Sequence, residues 1–478
     1  MNTPAARRTA DAAEAVADAA RLDDEGVDAT TRAIAQFASQ LRLDDIPADM
    51  RRRANQIMVD SLACAFGGAT CAAAEMARQL APTPREGDAG GRSIILGLHT
   101  TADTAAFINA AMIRYLDYND SFPTAHPSDC IGALLSVAAT HDVSGADLLV
   151  AVVVAYEVFN RLTESARMRY LGWDQGAAVA VGVAAGLGSL LRMEEQQIVH
   201  AVSLAAVACV PLRATRAGRL SLWKGAATAH AAREATYLAQ LASLGMTGPT
   251  ASFEGRHGHW ELITGPFEFQ AFPPHGEFLI DKVRLKYWPL EYNIQIAVWA
   301  ALELRSKVSV EELESIEIGT YWHAWHETGS EPAKWAPQTR ETADHSMPYV
   351  FARVLLDGDI GVESFEPQAY RDPRVLELMQ RISVHEDSAI EAKYPATVAI
   401  AVNATTTSGR LISIPLENPR GHESNRMTED ETSEKFRRQA EPLIGAAAAE
   451  RALEFWWSLE YGASASEGLR LLEAPGNG

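Results

Sequence analysis

Cysteines are few, cations do not outnumber anions, and no long uncharged apolar run occurs; each shortage removes a class of protein. Only four cysteines stand in 478 residues, at positions 64, 71, 130 and 209. None forms a Cys-x-x-Cys pair and no Cys/His spacing reads as a zinc or iron–sulfur site, so a disulfide scaffold or a cysteine-bound metal is not expected. The 62 acidic residues outnumber the 42 basic ones, for a formal charge of −20. That balance argues against a nucleic-acid partner and against docking on anionic membranes. An anionic small substrate stays open, because a few clustered Lys, Arg and His make a local positive pocket. No apolar stretch is long enough and free enough of charge to span a bilayer. Arg7-Arg8 invites a twin-arginine reading, yet Thr9 to Val27 is rich in Ala, Asp and Glu without an apolar core. A signal peptide is therefore not expected, and the cytoplasm is. Phosphate-cradling glycine loops, Gly-x-Ser-x-Gly elbows and dinucleotide fingerprints are absent as well.

What is present belongs to an ordinary globular chain of more than one domain: 47% hydrophobic and 22% charged residues. Residues 1–27 read as a flexible acidic tail. From there to about 275 helical patterns dominate. Ser144-Gly-Ala-Asp147 resembles a capping box and opens an apolar run from Leu148 to Leu162. Met193–Ala208 and Lys224–Leu244 read as two further helices. Their abundant Ala and Gly predict close helix approach, with codon bias as the bland alternative. After Phe272-Pro273-Pro274 the composition changes. Ile316–Tyr321 reads as a strand, Ala396–Asn403 alternates at period two, and Thr407-Ser-Gly turns into Leu411–Ile414, a β-hairpin. Ile294–Ser306 and His345–Leu356 read as helices, and the pattern is helical again from Thr428. The expected fold is mostly α: a large all-α domain from 28–275 and 426–478, with a smaller α/β lid domain, 276–425, inserted. No internal repeat is visible.

Four clusters carry chemistry. Asp117, Asp120, Ser121 and His126 share a short polar loop, and a His flanked by carboxylates can move a proton near neutral pH; Asp residues that merely cap a helix are the commoner explanation. Lys224 opens an Ala-rich helix beside Trp223, with Arg213, Arg216 and Arg219 nearby as carboxylate clamps; a plain basic loop is an equal alternative. Lys286 precedes Pro289 and Glu291, where the acid reads first as a favourable charge on an opening helix. Asp344 and His345 open another helix, with Asp344 as an ordinary N-cap. His323 and His326, on a strand exit among Tyr321, Trp322 and Trp325, form a His-x-x-His pair without a recognisable third ligand, so a metal is not expected.

Taken together and in this order, the Asp117…His126-Pro-Ser loop, Trp223-Lys-Gly, Lys286…Pro-x-Glu and Arg340-Glu-Thr-Ala-Asp-His-Ser resemble the MmgE/PrpD family, whose best-known members are 2-methylcitrate dehydratases. The likeness covers about residues 30–460. It implies a homodimer without metal or organic cofactor that acts on a small polycarboxylate by moving a proton next to a carboxylate. By the same likeness Asp117, Ser121 and His126 fall on one active-site loop and Asp174 on a second. Lys224 and Lys286 fall on carboxylate-binding positions, His323 near a pocket-facing one, with Arg219, Glu291 and His345 as further substrate-binding candidates. In the implied mechanism His126, oriented by Asp117, takes the proton and Asp174 or a lid residue protonates the departing hydroxide. Decarboxylases of the family tend to carry His where Asp174 and Glu291 stand, which favours dehydration. Asn293 departs from the His common in dehydratases and leaves the substrate open. The alternatives are a decarboxylase or epimerase of the same family, a non-catalytic dimer that binds a metabolite, and a metal-dependent lyase using His323 and His326.

Overall fold

Small side chains let the helices of this chain approach closely. The computed structural model describes residues 25–86, 90–122, 125–217 and 220–474, and the chain is mostly α-helical. It divides into two units, the first gathering Met1–Tyr115, Asn119–Val283 and Glu429–Gly478. The acidic tail read over 1–27 falls, up to residue 24, outside the described residues. At the centre of this unit, helix Gly145–Ala166 packs on Gly176–Leu190, which also meets Glu195–Ala208 and Trp223–Ser243. A Cβ added at Gly186 would lie 3.0 Å from Ala155 Cβ, and one at Gly188 would lie 2.8 Å from Ile198 Cγ1. One helix thus drops its side chains on both flanks where neighbours come nearest, so packing accounts for these glycines. The capping box at Ser144 forms: its Oγ accepts from Asp147 N at 3.1 Å, and Asp147 Oδ2 accepts from Ser144 N at 3.4 Å. A buried Lys435–Asp60 pair at 2.7 Å ties helix Glu429–Ile444 to Ala48–Gly67, joining distant stretches of chain.

This unit is not wholly helical. A two-residue ribbon, β1 (Gly91–Arg92) against β2 (His99–Thr100), escapes a helical reading because neither strand is long enough to show a period. Among the described residues no single helix is long and apolar enough to cross a membrane; Ala48–Gly67 with Ala72–Gln79 passes only as a pair bent by 77°.

The second unit comprises Arg284–Thr428 together with Leu116–Tyr118. Its sheet has four strands in the order β4 (Ile382–Glu386), β3 (Leu313–Thr320), β5 (Ala399–Thr406), β6 (Leu411–Glu417). β3 runs parallel to β4 and antiparallel to β5, and β5–β6 is the anticipated hairpin. Its turn closes with Thr406 N donating to Arg410 O at 2.9 Å, and Gly409 supplies the left-handed φ of 84° that the reversal needs. Helices Gln295–Lys307 and Met347–Asp357 cover a core of Ile316, Ile318, Val402, Ile414, Val298 and Phe351. Two local readings are corrected here. Ser346, not Asp344, caps Met347–Asp357, its Oγ accepting from Tyr349 N at 3.2 Å. His323 and His326 ride on a short helix, Trp322–Thr328, that begins right after β3.

Candidate active site

Asp117 stands on backbone that few side chains adopt. Its φ is 50°, a left-handed conformation that costs a non-glycine residue about 1–2 kcal/mol and that Asp tolerates better than most. Tyr118 helps to hold it, donating from its hydroxyl to Tyr287 O at 2.8 Å. Next to that carbonyl, Lys286 Nζ donates to both Asp117 Oδ1 and Asp117 O, each at 2.7 Å. The other carboxylate oxygen, Oδ2, lies 3.2 Å from His345 Nε2, and His345 Nδ1 makes a short contact with Asp344 Oδ1. Acidic and basic groups therefore alternate along one line, Asp344, His345, Asp117, Lys286, with His345 half-buried and the other three buried, which is how ionic groups survive away from water. Each ring nitrogen of His345 thus faces a carboxylate oxygen, which can only accept, so each carboxylate favours a proton on the nitrogen it faces.

Glu291 lies beside this line. Its backbone N donates to Asp344 O at 3.1 Å. Its carboxyl accepts from Asn293 N at 2.7 Å and from Asn293 Nδ2 at 2.6 Å, and Asn293 Oδ1 in turn accepts from the Tyr321 hydroxyl at 2.5 Å. Burial raises the Glu291 carboxyl to about 7; Lys286 pulls it down, while Asp117 and Glu327 push it up. His323 stacks on Tyr394, which stacks on Tyr321.

The first unit carries a different arrangement only three residues along the chain. Asp120 is fully buried and accepts from Ser128 Oγ at 2.6 Å, Ser128 N at 3.2 Å and Tyr156 OH at 2.8 Å. All three donors are neutral, and burial pushes its carboxyl up to about 7. Asp129 is raised to about 6 by burial, against the pull of Arg114. His126 Nδ1 lies 2.6 Å from the backbone oxygen of Asp120, an acceptor, which places the proton on Nδ1. Ser121 is buried on the same loop. Asp174 faces Arg216, whose Nε donates to its Oδ2 at 2.6 Å. Burial works to raise Asp174, but the guanidinium outweighs it and holds the carboxyl below its usual range. Lys224, buried in the first turn of Trp223–Ser243, offers its backbone oxygen to Arg216 Nη1 at 3.4 Å.

Both parts of the chain match one family. Residues 32–271 match the MmgE/PrpD N-terminal domain, and residues 288–461 match the MmgE/PrpD C-terminal domain. The chain belongs to the MmgE/PrpD family. It is 30% identical over 351 residues to the 2-methylcitrate dehydratase of Cupriavidus necator, a match covering 67% of this chain and 71% of the relative. The 2-methylcitrate dehydratase of Escherichia coli K12 is 28% identical over the same shares of both chains. An alkylcitrate dehydratase, phiI, of a fungal species is 27% identical across 85% of this chain and 86% of its own. As a member of the family the chain is an enzyme of the lyase class.

Within this MmgE/PrpD chain the candidate residues fall into two sets. Asp117, Lys286, Glu291, His323 and His345 belong to the second unit, whereas Ser121, His126, Asp174 and Lys224 belong to the first. Arg219 lies outside the described residues. Asp117 pairs with His345 and Lys286, and His126 Nδ1 lies against the Asp120 carbonyl. Arg216 holds the Asp174 carboxyl below its usual range, which favours the ionised form. Trp223 is 46% exposed, with its ring 5.7 Å from that of His230. Asp344, Asn293, Tyr321, Asp129 and Tyr156 were not singled out as site residues. The adjacency of Asp344 to His345 was the one available signal, and the N-cap reading absorbed it. Among the described residues no group of three or more His, Cys, Asp or Glu is arranged to hold a metal ion.

Proposed function

We propose that this lyase is a dehydratase of a small hydroxy-tricarboxylate, 2-methylcitrate or a close analogue. The observation that carries the reading is the line Asp344–His345–Asp117–Lys286. Loss of water beside a carboxylate needs a base for the proton on the α-carbon and a cation for the charge that builds on that carboxylate. His345 Nε2 is the proposed base, with Asp344 fixing the ring through Nδ1. Asp344 stabilises the imidazolium that forms, as a carboxylate on Nδ1 does in a catalytic triad, and Asp117 Oδ2, 3.2 Å from Nε2, adds to it. Lys286 Nζ is the proposed cation for the aci-carboxylate. The names of the relatives support the substrate class, since the three described above are dehydratases of 2-methylcitrate or an alkylcitrate.

A second reading keeps His126 as the base, favoured by its Nδ1 contact with Asp120 O, which leaves Nε2 as the lone-pair nitrogen. The same reading takes Lys224 as a further carboxylate ligand and the enzyme as a cytoplasmic homodimer working without metal or organic cofactor. Proton NMR in deuterated buffer with 2-methylcitrate, citrate, cis-aconitate and iminodisuccinate, with and without chelator, tests the reaction. Loss of water from a tricarboxylate, unaffected by chelator, is the expected result. Release of carbon dioxide, or deuterium exchange without water loss, would falsify the dehydratase reading and move the enzyme to the decarboxylase or epimerase alternative.

A further inference from the structure

We propose that Glu291 is the proton donor to the departing hydroxyl, and that Asn293 and Tyr321 are positioning residues that aim it. The inference rests on the dehydratase reading and supplies what that reading lacks, since Asp174 is held as a carboxylate by Arg216. The geometry is more elaborate than a cap requires. A single acceptor oxygen suffices to cap the short 3-10 turn Tyr292–Ile294, yet Glu291 uses both: Oε2 takes Asn293 N at 2.7 Å and Oε1 takes Asn293 Nδ2 at 2.6 Å. The Tyr321 hydroxyl, 2.5 Å from Asn293 Oδ1, donates to that oxygen and so decides which way the amide faces. With Oδ1 engaged, the NH2 group must point at Glu291. One carboxyl is thus fixed by a side-chain amide that is itself fixed by a buried phenol. The cation Lys286 and the anion Asp117 both act on it, which puts Glu291 at the same charged line as the proposed base.

The step balances as follows. His345 Nε2 takes the α-proton, and the C–H electron pair forms the carbon–carbon double bond. The carbon–oxygen bond at the neighbouring carbon breaks, and the hydroxyl leaves as water with the proton of Glu291. Glu291 ends as a carboxylate facing the two Asn293 donors and Lys286, all of which favour the charged form, so the arrangement stabilises the product of proton loss. Solvent exchange then returns the proton held on His345 to Glu291, and no other reactant is needed.

The test is the pH dependence of kcat for Glu291→Gln and Tyr321→Phe in the full chain. The groups acting on Glu291 are Lys286, Asp117 and Glu327, with Tyr321 reaching it through Asn293 and Asp344 bonded to it through the backbone. An acid must be protonated to act, so wild-type kcat should fall as pH rises through the neutral range. Gln keeps an oxygen for the turn but carries no acidic proton. Glu291→Gln should lose about a hundredfold or more in kcat with KM changed no more than about threefold, and the alkaline fall should vanish. Tyr321→Phe frees the Asn293 amide and removes a donor that favours the anion, so kcat should fall about tenfold and the alkaline limb should move to higher pH. A Glu291→Gln enzyme within about threefold of wild type, with the same alkaline limb, overturns the assignment. An unshifted limb in Tyr321→Phe overturns the positioning role, and this variant carries the test if Glu291→Gln does not fold. Wild-type enzyme that releases no water from any of the acids overturns the dehydratase reading itself.

Discussion

Asp117 and Asp120 are three residues apart in the chain and both nearly inaccessible, yet they live under opposite chemistry. Around Asp117 the partners are cationic or can become so: Lys286 on one oxygen, His345 on the other. Around Asp120 the partners are hydroxyls and a backbone amide, from Ser128 and Tyr156. Neutral donors do not offset the loss of hydration, so Asp120 keeps its proton up to about 7. The lesson is that burial alone does not make a carboxyl reactive. A buried carboxyl with neutral partners stores a proton as structure. One held between a lysine and an imidazole is set among groups that can stabilise charge as it moves.

Four experiments bear on this contrast. Lys286→Met should reduce kcat/KM by about a thousandfold or more, since it removes the proposed cation. It should also destabilise the fold by about 3–5 kcal/mol, because Asp117 is left buried without its lysine; denaturant unfolding beside steady-state assays reads both. His345→Ala should lower kcat by about a hundredfold or more, and His126→Ala by clearly less. If the order reverses, the base belongs to the Asp120 side and the contrast drawn here is the wrong way round.

The third experiment concerns stability and not turnover. The Asp120 carboxyl is raised in the folded state, so its contribution is fully present below the unfolded value near 4 and is lost as pH rises towards about 7. Asp129 and Glu291 act with the same sign. Unfolding free energy should therefore decline between pH 5 and pH 7, and Asp120→Asn should flatten that decline by up to about 1.4 kcal/mol per pH unit. An unchanged slope would show that Asp120 is ionised in the native protein. As a baseline, Ser144→Ala removes the cap of Gly145–Ala166 and should lower stability by about 1 kcal/mol at every pH.

How much of this was legible in the sequence depends on the range of the interaction concerned. Ser144 and Asp147 announce a helix start because their bonds close within three residues, and the β5–β6 hairpin is visible through its alternation and its Thr407-Ser-Gly turn. β4 escaped because five residues next to a helix carry little periodic signal. The site was legible as a roster of residue types and hidden as a set of partnerships. His345 is more than two hundred residues from Asp117 and meets it. Nothing local marks that pairing. Asn293 likewise looked like a departure from a family pattern, when its role in the structure is to hold Glu291 with both of its N–H groups.

The second unit takes three of its residues, Leu116–Tyr118, from a stretch of chain that lies well before the rest of it begins at Arg284. A gene fragment encoding 284–428 alone would carry Lys286, His345 and Asp344 but not the carboxylate that sits between them. Exchanging that fragment between relatives would likewise transplant two ends of a charged line without its middle. A cassette of this unit is inheritable only together with a tripeptide encoded some 165 codons upstream, so recombination here has to keep faith with two separated places in the gene at once.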